Sequence, residues 1–221
     1  MPAIAIFGGT GSGAIAAESV RALARTGQDI DLLGFLNDLE PAGTLISGTH
    51  VLGPFPSWKD LPANTLFLAP LHKVNVMRER LAVIEALQIP AERWATVIDP
   101  RCAVAEDADI APGCFVGPFA SVGPMSTLAR HAVVRAGAHI SHDCTIGTFA
   151  FIGINAVVSG FATLGEGGYV GPGAIVRERR RVGQFSVVGA GSVVRKDVVD
   201  GETVAGSPAR RVAAGGSKAS R

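Results

Sequence analysis

The residue pair best suited to acid–base chemistry in this sequence is His142 followed by Asp143. An imidazole can take up a proton near neutral pH, and a neighbouring carboxylate can orient the ring and strengthen it as a base. The pair is therefore a candidate general base, although the same two residues would also suit a solvated surface turn. No other histidine has an acidic neighbour in the sequence; the others are His50, His72, His131 and His139.

A glycine-rich turn near the start of the chain could hold a phosphate group. It reads Gly-Gly-Thr-Gly-Ser-Gly at 8–13, between a predicted strand at 3–7 and a predicted helix at 14–25. Main-chain N–H groups and the helix dipole attract phosphate at such a junction. The spacing also fits a dinucleotide fingerprint, but the domain is too short for the six-stranded dinucleotide fold. A nucleoside diphosphate is therefore the favoured ligand, with a full NAD site and a purely structural turn as alternatives.

Residues 1–97 predict a small α/β domain with a Rossmann-like parallel sheet. Further strands are predicted at 30–36, 66–68 and 94–98, because these runs are apolar and bounded by polar or turn residues. Helical spacing predicts a second helix at 76–87, with Asn75 as its N-cap. This alternation of strands and helices is typical of a parallel sheet.

From residue 98 onward the sequence repeats every six residues. Each sixth residue from Ile98 to Val194 is Ile, Val or Leu, at all 17 positions. Chance would give even a looser apolar run of this length with a probability on the order of 10⁻⁶. Four places after each aliphatic residue comes Ala, Ser, Cys or Gly in fifteen of the 17 cases.

This repeat predicts a solenoid of short parallel strands. Three hexads make one triangular coil, in which the aliphatic residue fills the interior and the small residue lets the chain turn. The three cysteines (102, 114 and 144) all fall on the small interior position. We therefore expect them to be core residues, and not members of a disulfide framework or a metal site.

Composition and charge exclude several classes of protein. The chain has 221 residues and a net charge of +1, which argues against a nucleic-acid-binding surface over the whole molecule. No apolar stretch approaches the ~18–20 residues that span a bilayer. The first residues lack the basic region of a signal peptide. We expect a cytoplasmic protein.

The sequence resembles the bacterial hexapeptide-repeat sugar O- and N-acetyltransferases over nearly its whole length. Besides the hexads and the glycine turn, four motifs support the resemblance: Ser-His-Asp-Cys-Thr-Ile-Gly at 141–147, Phe-Leu-Asn-Asp at 35–38, Gly-Ala-Gly-Ser-Val-Val-Arg-Lys-Asp at 189–197 and Gly-Ser-Pro-Ala-Arg at 206–210. The resemblance implies a nucleotide-sugar-binding α/β domain at 1–97 and a left-handed parallel β-helix at 98–212. The remaining residues, 213–221, are predicted to be a flexible tail.

The resemblance also implies an activity. The protein would be an acetyl-CoA-dependent N-acetyltransferase acting on the 4-amino group of a UDP- or GDP-linked amino-deoxy sugar, by direct transfer, in cell-surface polysaccharide biosynthesis. His142 would be the general base and Asp143 its partner. The enzyme would be a homotrimer, with acetyl-CoA in the groove between adjacent β-helices. O-acetylation of a sugar hydroxyl, as in the sialic-acid branch, is the alternative within the family.

Binding residues follow from the same resemblance. The backbone N–H of Gly160 would hold the thioester oxygen. The rest of the coenzyme would be bordered by Gly189, Ala190, Gly191, Pro208 and Arg210. The nucleotide sugar would be bound by Gly9, Thr10, Gly11, Ser12, Gly13, Asn37, Asp38 and Phe151. Many relatives have histidine where this chain has Ser12, and some have a second histidine where it has Phe151, which indicates a different acceptor pocket.

Two other classes of function compete with this interpretation. A β-helical carbonic anhydrase would bind zinc through His131, His139 and His142, although these lie within twelve residues and no later coil supplies a ligand. A non-catalytic β-helix scaffold with a nucleotide-binding domain is the other alternative. Basic residues outnumber acidic ones from Arg177 onward, either to attract coenzyme A phosphates or as a solvated face. Most outward phenylalanines are expected to be subunit contacts; these are residues 115, 119, 149, 151, 161 and 185.

Overall fold

The computed structural model describes residues 2–212, and the predicted tail at 213–221 lies outside the described residues. An α/β domain is followed by a three-sided stack of parallel strands, so the predicted order of the two units is confirmed. No helix in the described range is long and apolar enough to cross a membrane.

The first domain is built on one five-stranded sheet, sheet A, with the strand order β3-β4-β2-β1-β5. Strands β1, β2, β4 and β5 run parallel, and β3 pairs antiparallel with β4. The strands of this sheet are β1 (Ala3–Phe7), β2 (Asp31–Leu36), β3 (Leu45–Ile46), β4 (Thr49–Gly53) and β5 (Thr65–Leu68). Their carboxyl ends meet at one edge, which is where open parallel sheets bind ligands.

Two α-helices flank sheet A, α1 (Ser12–Arg25) and α2 (Met77–Ala86), and two short 3-10 helices lie at Phe55–Asp60 and Ala91–Arg93. Helix α1 starts two residues earlier than predicted. Asn75 does not cap α2, because Val76 is the N-cap residue and no side chain caps the helix. Strands β3 and β4 were not predicted, since the polar, turn-rich sequence around them hides their short apolar runs.

The second domain is a β-helix of two-residue strands arranged in three sheets. Between Val97 and Val194 the strands of each sheet pair in parallel at a spacing of eighteen residues, as Phe115 does with Val133 and Val133 with Phe151. This register confirms three hexads per coil. The last parallel pair, Val187 with Thr203, has a spacing of sixteen. The strands are β6 (Val97–Ile98), β7 (Ala103–Val104), β8 (Asp109–Ile110), β9 (Phe115–Val116), β10 (Ser121–Val122), β11 (Thr127–Leu128), β12 (Val133–Val134), β13 (His139–Ile140), β14 (Thr145–Ile146), β15 (Phe151–Ile152), β16 (Val157–Val158), β17 (Thr163–Leu164), β18 (Tyr169–Val170), β19 (Ile175–Val176), β20 (Arg181–Val182), β21 (Val187–Val188) and β22 (Val193–Val194).

We name the three sheets in the order in which the chain visits them. Sheet B contains β6, β9, β12, β15, β18 and β21, followed by β23 (Thr203–Ala205) and β24 (Arg210–Arg211). Sheet C contains β7, β10, β13, β16, β19 and β22, and sheet D contains β8, β11, β14, β17 and β20. Strand β24 pairs antiparallel with β23, so sheet B ends in a reversed strand.

The interior of the β-helix is filled by the aliphatic hexad positions, as predicted. From Val116 to Val194 these residues are all buried, together with Cys114 and Cys144 on the small positions. The first coil differs: Ile98, Val104 and Ile110 are only half-buried, because no coil lies beneath them. Burial raises the pKa of the Cys114 thiol to about 12, so this residue is an inert core group.

Sheet B forms the contact with the first domain. Its outward residues Phe115, Val133 and Phe151 are buried in one continuous apolar core with β1, α1 and Trp94. The expectation that most outward phenylalanines are subunit contacts is therefore wrong for Phe115, Phe149 and Phe151, which this intramolecular core covers. Phe185 is half-buried against the same core, whereas Phe119 and Phe161 remain exposed.

A buried carboxylate links the two domains at the first coil. Asp99 accepts hydrogen bonds from Ser19 Oγ on α1 at 2.7 Å and from the Arg101 guanidinium at 2.7 and 2.8 Å. Burial acts to raise the Asp99 pKa, but the hydrogen bonds from Arg101 and Ser19 outweigh it and hold the pKa below its ordinary value. This contact fixes α1, and hence the loop before it, relative to the β-helix.

Two histidines lie where the domains meet: His131 is buried, and His72 is half-buried with both ring nitrogens enclosed. His72 stacks on Phe149 at a ring distance of 3.8 Å, and His131 packs edge-on against Trp94 at 4.5 Å. Burial, reinforced by nearby positive charge, lowers the pKa of His72 to about 3 and that of His131 to about 4. Within the described residues, three of the four ring nitrogens have no hydrogen-bond partner: both of His72 and Nδ1 of His131.

These imidazoles predict a loss of stability in mild acid. Below a pH of about 6.5 these two histidines bind protons in the unfolded chain but not in the folded chain. The free energy of unfolding therefore has its full value above that pH. Between that pH and the folded-state pKa values, the free energy of unfolding falls by about 1.4 kcal/mol per histidine for each pH unit. Urea unfolding at pH 7.5 and pH 5 should show this loss.

The variant His131→Gln should lose about half of this pH dependence. The variant His139→Gln removes an exposed histidine on sheet C and should keep all of it. An equal pH dependence in His131→Gln and the wild type would contradict the assignment of the acid sensitivity to the buried rings.

Candidate functional site

The structure forms the predicted His142–Asp143 pair at the corner between sheets C and D. Asp143 has a φ of 55°, and its carboxylate lies 2.8 Å from Nδ1 of His142. A carboxylate can only accept, so Nδ1 carries the proton and Nε2 is left with its lone pair. The His142 side chain is 49% exposed. The geometry is that of an oriented imidazole whose basic nitrogen is available to a ligand.

Gly160 lies one coil beyond His142, directly against its ring. A Cβ atom built on Gly160 would lie 2.7 Å from both Cε1 and Nε2 of His142, closer than real carbon contacts allow. The backbone carbonyl of Gly160 accepts from the Arg179 N–H at 3.0 Å, while its own N–H donates to no backbone carbonyl in the described chain. Phe161 completes the corner, edge-on to the imidazole at 5.1 Å. An unused donor thus lies beside an imidazole.

A separate cavity of about 480 Å³ opens at the carboxyl edge of sheet A. It brings together most of the residues predicted to bind a nucleotide sugar, which are Gly9, Thr10, Ser12, Gly13, Asn37 and Asp38. Gly11 does not line the cavity but is the N-cap of α1, with a φ of 66° that suits glycine. The co-location follows from topology, because β1 and β2 are adjacent parallel strands and end at the same edge.

Close packing sets the shape of this cavity. A Cβ on Gly9 would lie 2.9 Å from Nδ2 of Asn37 and 2.6 Å from Ile46, so only glycine fits there. The Asp38 carboxylate accepts from the Phe55 N–H at 2.7 Å, and the Asn37 amide oxygen accepts from the Leu39 N–H at 2.8 Å. Both side chains are held by the backbone, which fixes the wall opposite the glycine loop.

Several residues of this cavity were not predicted from the sequence. His72, Lys73 and Arg80 line it from the segment after β5 and from α2, where no motif marks them. Arg135 lies behind it and donates to Ser12 Oγ at 2.6 Å. One signal for Arg135 was present: the corresponding residues of four other coils, at 117, 153, 171 and 189, are glycine.

Phe151 does not line the cavity and lies deeper in the protein. Its ring stacks on Tyr169 at 4.6 Å and lies 5.8 Å from the His72 ring. It belongs to the core between the domains and is not among the residues that line the cavity. Any effect on a ligand would pass through His72 or through Arg135, whose guanidinium lies 5.9 Å from the Phe151 ring.

The residues predicted to border the coenzyme lie along sheet C. Gly189, Ala190 and Gly191 form the corner between sheets B and C in the last full coil, whereas Gly160 belongs to the opposite corner of sheet C. The segment holding Pro208 crosses above this sheet, where Gly206 and Ala209 bond to the backbone of Val193. Arg210 lies in β24 at the end of sheet B, with its side chain exposed.

The basic segment near Arg177 is regular β-helix, with no bulge. Strand β20 keeps the eighteen-residue pairing with β17, and Arg180 extends to Asp197, with which it pairs at 3.3 Å. Arg181 pairs with Asp200 at 2.7 Å. Several of these charges are therefore partly neutralised within the chain.

The three histidines of the zinc alternative point to different surroundings. His131 is buried against Trp94, His139 bonds to Ser121 on the outer surface of sheet C, and His142 bonds to Asp143. Among the residues that the structure describes, no group of three or more possible metal ligands comes together.

One chain does not bring its two candidate sites together. The cavity lies on the side of sheet B, because the first domain packs there. His142 lies at the corner between sheets C and D, which is the edge of the prism opposite sheet B. Within one chain, His142 and the cavity therefore lie on different sides of the β-helix.

Comparison with solved structures gives a full-length match. The acetyltransferase domain of PglB from Neisseria gonorrhoeae, solved in complex with acetyl coenzyme A, is 30% identical, with a TM-score of 0.83 over 95% of this chain and 98% of that one. This chain belongs to the hexapeptide-repeat sugar acetyltransferases. It is therefore an acyltransferase, and the scaffold and carbonic anhydrase alternatives are set aside.

More distant structures share the fold of this acetyltransferase. PerB from Caulobacter crescentus, solved with CoA and GDP-perosamine, is 23% identical with a TM-score of 0.81, over 96% of this chain and 98% of that one. WeeI from Acinetobacter baumannii is 22% identical with a TM-score of 0.78, over 96% of this chain and all of that one. No family model matches the sequence, and no curated protein does.

The contact between Gly160 and the imidazole predicts a sharp effect of one methyl group. Gly160→Ala should displace the His142 ring and lower kcat by at least ~10²-fold, since a misplaced base loses most of its contribution. Folding should persist, because the half-exposed His142 ring can move aside into solvent. Thiol-release kinetics and thermal unfolding would measure the two effects. Gly173→Ala is the control: this corner glycine has open space around it and a φ of 65°, so alanine there strains the backbone without touching the His142 ring and should lower stability but keep kcat. A kcat near wild type in Gly160→Ala would contradict the geometry.

Proposed function

We propose that this acetyltransferase transfers the acetyl group of acetyl-CoA to the 4-amino group of a UDP- or GDP-linked amino-deoxy sugar. The observation that supports this most directly is the imidazole of His142, oriented by Asp143 and set against Gly160. Acetyl-CoA as the donor is supported by its presence in the complex of the PglB domain. A nucleotide-linked acceptor is supported by the cavity at the glycine loop, which is large enough for part of such a molecule.

His142 acts as the general base in direct transfer. Nε2 takes the proton that the acceptor amine must lose as its nitrogen bonds to the thioester carbonyl carbon. Asp143 keeps the proton on Nδ1 and stabilises the imidazolium that forms. The carbon–sulfur bond then breaks, and the proton held by His142 is available to the departing thiolate. Neither a serine nor a cysteine nucleophile is needed, which agrees with the buried, protonated state of Cys114.

Gly160 supplies the oxyanion donor beside the base. Its N–H makes no bond in the backbone ladder and lies next to the His142 ring. A preset donor at this point stabilises the negative charge that develops on the thioester oxygen. Gly189, Ala190, Gly191, Pro208 and Arg210 would border the rest of the coenzyme, along sheet C.

The active enzyme is a homotrimer of left-handed β-helices, and we assign it to the cytoplasm, where acetyl-CoA is available. The separation of His142 from the cavity within one chain supports an assembly in which neighbours complete each site. Sheet C offers a suitable contact face, since Val157, Ile175 and Val193 form an outward apolar column on it.

Replacing the base tests the chemistry. His142→Ala should lower kcat by at least ~10²-fold and leave acetyl-CoA binding nearly unchanged, because the ring acts on the acceptor proton. The assay combines acetyl-CoA with a panel of UDP- and GDP-linked amino sugars and hydroxyl analogues, and reads thiol release. His50→Ala, which removes an exposed histidine of strand β4 in the first domain, is the control. Full turnover by His142→Ala would remove it from the mechanism, and turnover of hydroxyl analogues alone would assign O-acetylation.

Mixing two inactive variants tests the shared site. His142→Ala lacks the base, and Gly9→Val fills the loop with a side chain for which there is no room. If each site takes its loop and its base from different subunits, co-refolded mixtures of equal amounts should recover about a quarter of wild-type activity. Separate refolding followed by brief mixing is the control. No recovery in co-refolded mixtures would contradict a site shared between chains.

A further inference from the structure

Arg135 is a buried cation without a counter-ion. It follows β12 on sheet B and is 9% exposed. Within the described residues no carboxylate pairs with it, and its Nε–H has no hydrogen-bond partner. Its polar contact is the bond from Nη1 to Ser12 Oγ at 2.6 Å, and the Phe151 ring lies 5.9 Å away. Burial lowers the pKa of Arg135, although a guanidinium remains charged at neutral pH.

An unpaired buried charge is unfavourable by itself. Removing a guanidinium from water is costly unless an anion or a full set of hydrogen bonds replaces the lost hydration. Ser12 replaces only part of it. The neighbourhood of Arg135 is therefore incomplete in the ligand-free protein, and an anion next to Ser12 would complete it.

The bond to Arg135 also fixes the direction of the Ser12 hydroxyl. A guanidinium has donors and no acceptor, so Ser12 Oγ must accept this hydrogen bond. Its own proton is then free to point elsewhere, and Ser12 lines the cavity. Accepting from a cation makes a hydroxyl a stronger donor. Arg135 thus prepares Ser12 to donate to a ligand oxygen.

The surroundings favour a negatively charged ligand at this point. Ser12 is the first residue of α1, whose N-terminus has no side-chain cap and no acidic residue in its first turn. Lys73 and Arg80 line the same cavity, and its one acidic lining residue, Asp38, is bonded to the Phe55 N–H. The helix dipole, the Lys73 and Arg80 side chains and the buried Arg135 guanidinium all attract an anion.

We propose that Ser12 and Arg135 together bind the phosphate that carries the sugar in the acceptor, with Ser12 donating to a phosphate oxygen and Arg135 as the positioning residue behind it. The inference rests on the proposed nucleotide-linked acceptor and adds to it a contact from the β-helix. The glycine loop of this chain is thereby completed by a cation supplied from the second domain. Both domains would then hold the acceptor, which ties its position to the β-helix surface.

The test measures Kd by calorimetry for UDP, GDP, UMP and GMP, using the full-length protein. Arg135→Gln should weaken binding of the preferred nucleoside diphosphate by about 10–100-fold, the range for a charge-assisted hydrogen bond. Binding of the monophosphate, which lacks the sugar-bearing phosphate, should change by less than about 3-fold. Arg135→Lys keeps the positive charge but loses the planar guanidinium. Its Kd for the diphosphate should therefore lie between those of Arg135→Gln and the wild type. Arg25→Gln, at the exposed far end of α1, is the matched control and should bind as the wild type does.

A double-mutant cycle tests whether Arg135 acts through Ser12. Ser12→Ala should weaken diphosphate binding by about 10-fold, and Ser12→Ala combined with Arg135→Gln should bind no worse than Arg135→Gln alone. Ser12→Ala leaves the buried core intact, so it gives a result even if Arg135→Gln folds poorly.

Three outcomes would overturn the inference. These are an unchanged diphosphate Kd in the single variants, an equal loss for mono- and diphosphates, or losses that multiply in the double variant. If the wild type binds neither UDP nor GDP, the nucleotide-linked acceptor is wrong and the inference is wrong with it. Wild-type binding that survives Arg135→Gln unchanged would refute the inference alone.

Discussion

An eighteen-residue coil is the constraint on which the rest of this structure depends. It places each residue directly above the residue one coil below, so contacts at the corners run in vertical columns. His142 therefore meets Gly160, where any side chain would press on the imidazole, while Phe161 and Arg179 follow in the neighbouring column. The reacting group is oriented by a backbone whose spacing is fixed by the whole stack. The repeated coil thus fixes the position of the His142 ring, although the ring does not lie in a deep pocket.

The first domain adds what a β-helix alone lacks, a cavity at the edge of a parallel sheet. It packs on sheet B, and the two domains share one apolar core. That core is not purely apolar, because His131 and Arg135 are buried within or beside it and His72 is half-buried against Phe149. Uncharged imidazoles add no repulsion to the guanidinium at neutral pH. The contact between domains therefore attaches the first domain to the β-helix and also places the Arg135 guanidinium next to Ser12 of the glycine loop.

Much of this architecture is readable from the sequence because it is periodic. The hexad predicted the coil and its interior, since every repeat must satisfy the same stacking geometry. The glycine turn and Asn37–Asp38 were assigned to one site through the family resemblance, and the structure gives the reason, because they follow adjacent strands. Strands β3 and β4 were missed, since each is short and neither follows a clear alternation. Arg135 and His72 were missed because their roles depend on contacts between domains, which local patterns do not encode. The outward phenylalanines were misassigned for the same reason: an apolar side chain on a solenoid surface does not reveal which partner covers it.

The reversed strand at the end of sheet B has a consequence for how copies of this molecule can associate. A stack of parallel strands normally ends in unpaired N–H and C=O groups that invite another copy to continue it. Here β24 runs antiparallel and carries Arg210 and Arg211, both exposed. A further coil joining at this end would face the wrong strand direction and a pair of positive charges. Continuation of sheet B by a parallel strand of another copy is thereby disfavoured at this end of the prism.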